Sequence, residues 1–185
     1  MANTDAPFGA KPVRILGGSS WNGQTEPYPI LSAYNTTIRF GQFVKVLADG
    51  TIGLASAGDT CRGVFLGVEY TATDGTQVFS RTWTASTATL NSANAIAKVV
   101  DNPLTVFEIQ HDSDSATPAL LDNGSNFDWI YTHTAGAEVD TSTSTTGPAG
   151  LRVLRLVNRP DNAIGAYAKV EVLINEHDLK STTGI

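Results

Sequence analysis

Two Asp-Gly pairs, each set between short apolar runs, constrain this chain more than any other feature. Ile38 to Leu47 leads through Asp49-Gly50 into Thr51 to Ala55, and Arg62 to Tyr70 leads through Thr73-Asp74-Gly75-Thr76 into Gln77 to Ala85. An Asp-Gly pair supplies the positive φ angles of a tight turn between antiparallel strands, so each is predicted as a β-hairpin. Further runs follow at Ile96 to Val100, Leu104 to Gln110, Phe127 to Thr132, Leu151 to Asn158 and Tyr167 to Ile174. Short apolar runs separated by turn signals predict an all-β sandwich or barrel. Composition agrees: Thr is the commonest residue, at 23 of 185, and β-branched side chains suit a pleated surface better than a helix.

The pattern within the runs assigns faces. Ala168, Val170, Val172 and Ile174 alternate with Tyr167, Lys169 and Glu171, which predicts a strand with one face in a core and the other wet. In Leu151 to Val157 the alternation slips between Val153 and Leu154, the mark of a β-bulge, an edge twist or burial on both sides. Gly63 and Gly67, within a strand-like run, mark close backbone approach and not a phosphate loop, since no Lys-Ser/Thr follows. Single helical pieces are expected at Ala88 to Val99 and at Pro118 to Leu121, and an exposed Thr/Ser loop at 140–147. The expected fold is mainly β with one or two short helices: a sandwich, barrel or β-tulip-like domain over 31–185.

Residues 1–30 differ in character. They carry four of the eight prolines (Pro7, Pro12, Pro27 and Pro29) among scattered glycines, a composition expected to prevent a regular ladder. Yet Phe8, Trp21 and Tyr28 are too apolar for a solvated tail. The segment is therefore expected to be an extended arm lying on its own domain, a neighbouring copy or another protein. Phe8, Pro12, Trp21 and Tyr28 are the expected contacts with a capsid or a second subunit.

A net charge of −6 and a pI near 4.9 argue against nucleic-acid binding, which rests on Lys and Arg neutralising phosphates. No apolar run is long enough to span a membrane, and no basic-then-apolar leader opens the chain, so synthesis and retention in a host cytoplasm until assembly are expected. The single Cys61 has no disulfide partner and is expected to be a small buried hydrophobe. Gln110-His111-Asp112-Ser113-Asp114 is the nearest approach to a metal or acid–base cluster, but it lacks further ligands at metal spacing and reads as a solvated strand-end turn. Asp122 to Asp128 carries oxygens that could suit calcium without the spacing of a calcium loop. No Gly-x-Ser-x-Gly or other nucleophile pattern occurs, so neither a catalytic residue nor a cofactor is expected. Trp21, Trp83 and Trp129, with Tyr70 and Tyr131, would serve a carbohydrate-binding module only as an exposed strip; core or interface roles are expected.

The opening Ala2-Asn3 to Ala6-Pro7-Phe8-Gly9, with Lys11-Pro12-Val13-Arg14, resembles the start of small virion structural proteins of tailed bacteriophages. So do Gly63 to Val68 with Tyr70, Val106 to Gln110, and Val170 to Asn175 with His177. Gly41 to Val46, through Asp49-Gly50-Thr51-Ile52 to Arg62-Gly63-Val64, is similar to the small β domain of lambda-type head-stabilising proteins. The resemblance implies a decoration (cement) protein on the outer capsid surface. Its partners would be the major capsid protein and further copies of itself, as a trimer at local threefold axes or, alternatively, a dimer. A tail or fibre component and a carbohydrate-binding β module are the rival readings.

Overall fold

The computed structural model describes residues 3–112, 124–131, 136–145 and 147–180. The expected Pro118 to Leu121 helix lies outside these residues. Among them the fold is all-β. The strands are β1 (Lys11–Ile15), β2 (Glu26–Ile30), β3 (Ile38–Arg39), β4 (Phe43–Val46), β5 (Ile52–Leu54), β6 (Gly63–Thr71) and β7 (Gln77–Ser80). They continue as β8 (Thr82–Trp83), β9 (Ala95–Val100), β10 (Thr105–Gln110), β11 (Asn126–Ile130), β12 (Glu138–Thr145), β13 (Leu151–Leu156) and β14 (Lys169–Ile174). A first sheet has the order β1-β10-β14-β13-β11-β12; a second, β2-β9-β6-β4-β5, carries β7 on β6; β3 and β8 form a separate ribbon.

Both Asp-Gly hairpins form, joining β4 to β5 and β6 to β7 in antiparallel register. Gly50 and Gly75 sit at φ of 80° and 89°, which a side chain would oppose. Asp49 and Asp74 each accept from the backbone N–H two residues on, at 2.9 Å, which closes the turn locally.

The two sheets pack face to face, and the second is covered on its other side as well. Phe43, Val64 and Val100 join Phe107, Ile109, Trp129, Leu151 and Val172 in a core between the sheets. Their chain neighbours Val44, Phe65 and Val99 point the opposite way into a second core, which the ribbon closes with Ile38 and Trp83. Successive residues of a strand face opposite sides, so these apolar dipeptides are what a strand buried on both faces requires. Across the first core the Phe43 and Trp129 rings meet at 4.7 Å; in the second, Tyr70 meets Trp83 edge-on at 5.7 Å.

Glycine permits the closest backbone approaches. A Cβ on Gly63 would lie 2.2 Å from the carbonyl oxygen of Val100, and one on Gly67 3.0 Å from that of Ser80. The slip in β13 is a register shift against β14 between Val153 and Arg155. β14 itself points Val170, Val172 and Ile174 into the core and Glu171 away from it.

Several expectations need correction. The N-terminal segment does build ladders: β1 pairs with β10, and β2 pairs with β9 over all five of its residues. Both are edge strands, where a missing proline N–H leaves no neighbour unpaired. Residues 140–145 are not loop but part of β12, paired with β11. Threonine suits a strand, and Asp140 accepts from the N–H and hydroxyl of Ser142 at 2.9 and 2.6 Å, holding the polar run in place. Ala88 to Val99 is not helical beyond a 3-10 turn at Leu90–Ser92; Ala95–Val100 instead pairs with β2 on one side and β6 on the other. Gln77 to Ala85 splits at Arg81 into β7 and β8, which join different sheets.

Candidate interaction surfaces

The outer side of the first sheet gathers charge. Glu108 of β10 stands directly opposite Glu171 of β14. Their neighbours Phe107, Ile109, Val170 and Val172 occupy the inter-sheet core, so both carboxylates face outward. Both are nonetheless largely covered, at 6% and 9% exposure. Like charges opposite one another on adjacent strands repel, and arginines offset this. Arg159 donates two bonds to Glu108, at 3.1 and 2.5 Å. Arg155 donates to both oxygens of Glu171 at 3.0 and 2.9 Å, and Arg14 adds 3.1 and 2.7 Å to Oε2. Burial pushes the Glu171 carboxyl up, but hydrogen bonds from Arg155 and Arg14 outweigh it and hold the group below its ordinary value.

β1 and β10 connect two ends of the molecule, and the four expected contact residues separate along them. Pro12 is buried within β1 opposite Phe107, so it presents no surface, contrary to expectation. Phe8 is half-buried at the Lys11 and Glu108 end, in the wall of a cavity of about 800 Å³. Trp21 is half-buried at the other end, packed on the inter-sheet core and lining a smaller cavity of about 220 Å³ with Ile15, Asp101 and Thr105. Tyr28 lies near it: its hydroxyl donates to Asp101 at 2.7 Å and the Arg62 guanidinium sits 5.5 Å over its ring. Burial and the Asp101 carboxylate push the Tyr28 phenol up to about 12. Arg62 in turn pairs with Asp178 at 2.7 Å, beside the buried His177.

At this second end two leucines stand in solvent. Leu16 is 42% and Leu104 46% exposed, and the Leu16 N–H donates to the Leu104 carbonyl at 2.7 Å, placing the two side by side. Neither is among the four contacts expected from the sequence, although Leu16 is one of the apolar residues of 1–30 expected to be covered. The available signal was an aliphatic residue beside a turn, Leu16 before Gly17-Gly18 and Leu104 after Asn102-Pro103.

The residues considered for chemistry are taken up by structure. His111 is fully buried, its Nε2 2.9 Å from the Gly165 carbonyl oxygen, and Asp112 accepts from the N–H and hydroxyl of Thr141 at 3.0 and 2.7 Å. The pair is therefore a buried anchor between β10 and β12 and not a solvated turn; Ser113 and Asp114 lie outside the described residues. Among the described residues no group of three or more His, Cys, Asp or Glu is placed to hold a metal ion. Of the calcium-like run, Asp122 and Asn123 lie outside the described residues, and Asp128 accepts from the Gly150 N–H at 2.9 Å. Cys61 is buried, and burial pushes its thiol well above the ordinary range. Trp83 and Trp129 are buried in different cores, so they form no stacking strip. No helix among the described residues is long and apolar enough to cross a membrane. No family model, curated protein or solved structure matches this chain.

Proposed function

We propose that this chain is a virion structural protein that decorates the outer surface of a tailed-phage capsid, binding the major capsid protein lattice without covalent chemistry. The observation that carries the reading is a pair of leucines, Leu16 and Leu104, exposed side by side where β1 ends and β10 begins. Adjacent large apolar side chains left in solvent favour a partner surface, since each one removed from water contributes about 1.5–3 kcal/mol. The β1–β10 ladder holds the pair in place, so it meets a lattice without first having to order itself. The acidic charge suits a position outside a DNA-filled head. The mechanism is linkage: a protein that binds only the expanded lattice stabilises it by mass action. Self-association, as a trimer or a dimer, would repeat the contact at symmetric positions.

The test uses purified expanded heads lacking the chain, to which it is added back, with occupancy measured by electron microscopy and head stability by thermal disruption. The full chain should bind and raise the disruption temperature. Leu16→Asp with Leu104→Asp should weaken binding at least about tenfold, equivalent to about 1.4 kcal/mol, without lowering the chain's own melting temperature. Absence of binding to heads, or labelling confined to tails, would overturn the proposal in favour of a tail or fibre component. Deleting residues 1–30 is not a clean test, because it removes β1 and β2 from their sheets.

A further inference from the structure

The cavity at the opposite end has a charge that the chain as a whole does not. The molecule carries −6, yet the walls of this cavity hold Lys11, Arg81, Arg159 and Lys169 against only Glu108 and Asp161. The two carboxylates already serve two of the cations: Arg159 holds Glu108, and Lys169 holds Asp161 at 2.9 Å. Lys11 and Arg81 have no salt-bridge partner among the described residues. Arg81 is also prearranged, its guanidinium lying 3.8 Å over the ring of Phe40. A stacked guanidinium keeps its donors in the ring plane's neighbourhood, free for a planar anion.

The far wall is built rather than draped. Asn3 donates to the carbonyls of Ala163 and Ala166 at 2.8 Å each and accepts from the Ala163 N–H at 3.0 Å. Gln110, from the end of β10, accepts from the Ala6 N–H at 3.0 Å and donates to the Thr4 carbonyl at 2.8 Å. These bonds fix Phe8 in the wall as apolar surface. The volume of about 800 Å³ falls within the range of clefts that hold small organic ligands.

We propose that this cavity binds an acidic saccharide, with the sugar carboxylate held by Arg81 and Lys11. The carboxylate follows from the two unpaired cations, because a bidentate Arg–carboxylate pair is the strongest geometry a guanidinium offers. The sugar follows from the acceptors beside them. The Asp161 carboxylate, whose side chain is 61% exposed, can take hydroxyl donors, and Phe8 offers apolar surface to a ring face. A polyanionic peptide would bring several charges against Asp161 and Glu108, whereas one carboxylate ringed by hydroxyls uses both kinds of wall. The site is independent of the capsid-binding reading: Lys11 and Ile15 mark opposite ends of β1, each lining a different cavity.

The test is calorimetric titration of the full chain with trigalacturonate, with neutral galactotriose and a tetra-aspartate peptide as matched probes. Trigalacturonate should bind saturably, galactotriose at least tenfold more weakly, and binding should weaken as salt rises. Arg81→Ala and Lys11→Ala should each reduce trigalacturonate affinity at least tenfold. Both side chains are exposed, so the melting temperature should not move, which separates lost binding from lost fold. Absence of saturable binding, binding untouched by both substitutions, or equal or tighter binding of the peptide would overturn the proposal. Head binding should be unchanged in both variants; failure of the unaltered chain to bind heads would tell against the capsid reading and not against this one, whereas loss of head binding in the variants alone would overturn the separation of the two sites.

Discussion

The second sheet and the first differ in what lies behind them, and that difference explains how each is written in the sequence. Where the sheets overlap, the second is covered on both sides, so adjacent residues such as Phe43-Val44, Val64-Phe65 and Val99-Val100 are all apolar and serve two cores. The first also covers the outer face of its central strands, but there Val106 and Leu173 share the face with Glu108 and Glu171 held under arginines. Apolar burial stabilises the one by area removed from water, whereas the other relies on paired charges that water and salt weaken. The two surfaces should therefore respond very differently to substitution.

The largest effects are expected in the two cores. Trp129→Ala empties the inter-sheet core and Trp83→Ala the ribbon-side core, and each should lower unfolding free energy by about 3–5 kcal/mol in chemical denaturation. The comparison breaks if Trp83→Ala costs less than about 1 kcal/mol, because the ribbon would then be a loose flap and the second sheet effectively one-sided.

A smaller effect comes from His177, 2% exposed. Burial lowers its pKa from 6.5 to about 4, with the Lys180 and Arg62 charges adding to the shift. The native state therefore stays neutral while the unfolded chain takes up a proton. Stability should fall as pH drops from about 6.5 towards 4, by about 2–3 kcal/mol, and this contribution should level off below that. His177→Asn should remove that slope in denaturant titrations at stepped pH. A slope that persists in the variant would mean that other groups, not this imidazole, set the acid response.

Much of this architecture could be read before the structure, and the reason is local chemistry. Asp49-Gly50 and Asp74-Gly75 close on their own backbone, the core face of β14 shows as Val170, Val172 and Ile174 in alternation, and the β13 slip is visible as two apolar residues in succession; the face of β14 expected to be wet is instead covered, with Glu171 at 9% and Leu173 at 8% exposure. What could not be read depends on where strands lie in a sheet. Pro12, Pro27 and Pro29 look like ladder breakers until β1 and β2 prove to be edges. The Thr/Ser run at 140–145 looks like a loop until β11 is placed beside it. The contact residues suffered most, since Phe8 and Trp21 sit only 13 positions apart yet mark opposite ends of the molecule, a separation that strand pairing creates and composition does not record.

The smallest effect tests the charged face of the first sheet. Arg155 is 58% exposed at its side chain and shares Glu171 with Arg14, so Arg155→Ala should cost no more than about 1 kcal/mol at neutral pH, less in high salt. Removing Arg14 as well leaves Glu171 with neither of its cations and Glu108 directly opposite. The double variant should therefore lose more than the sum of the two single losses, the coupling expected when two groups share a partner. Acid should erase the difference. The arginines hold Glu171 below its ordinary carboxyl value, so their contribution is present above that value and is lost as pH falls through the lowered folded one. That window lies below the one set by His177, so stepped-pH denaturation resolves the two regions in a single series. Simple additivity at neutral pH would show that each arginine acts alone on a solvated carboxylate, and the first sheet's outer face would then contribute charge to the surface without stabilising the fold.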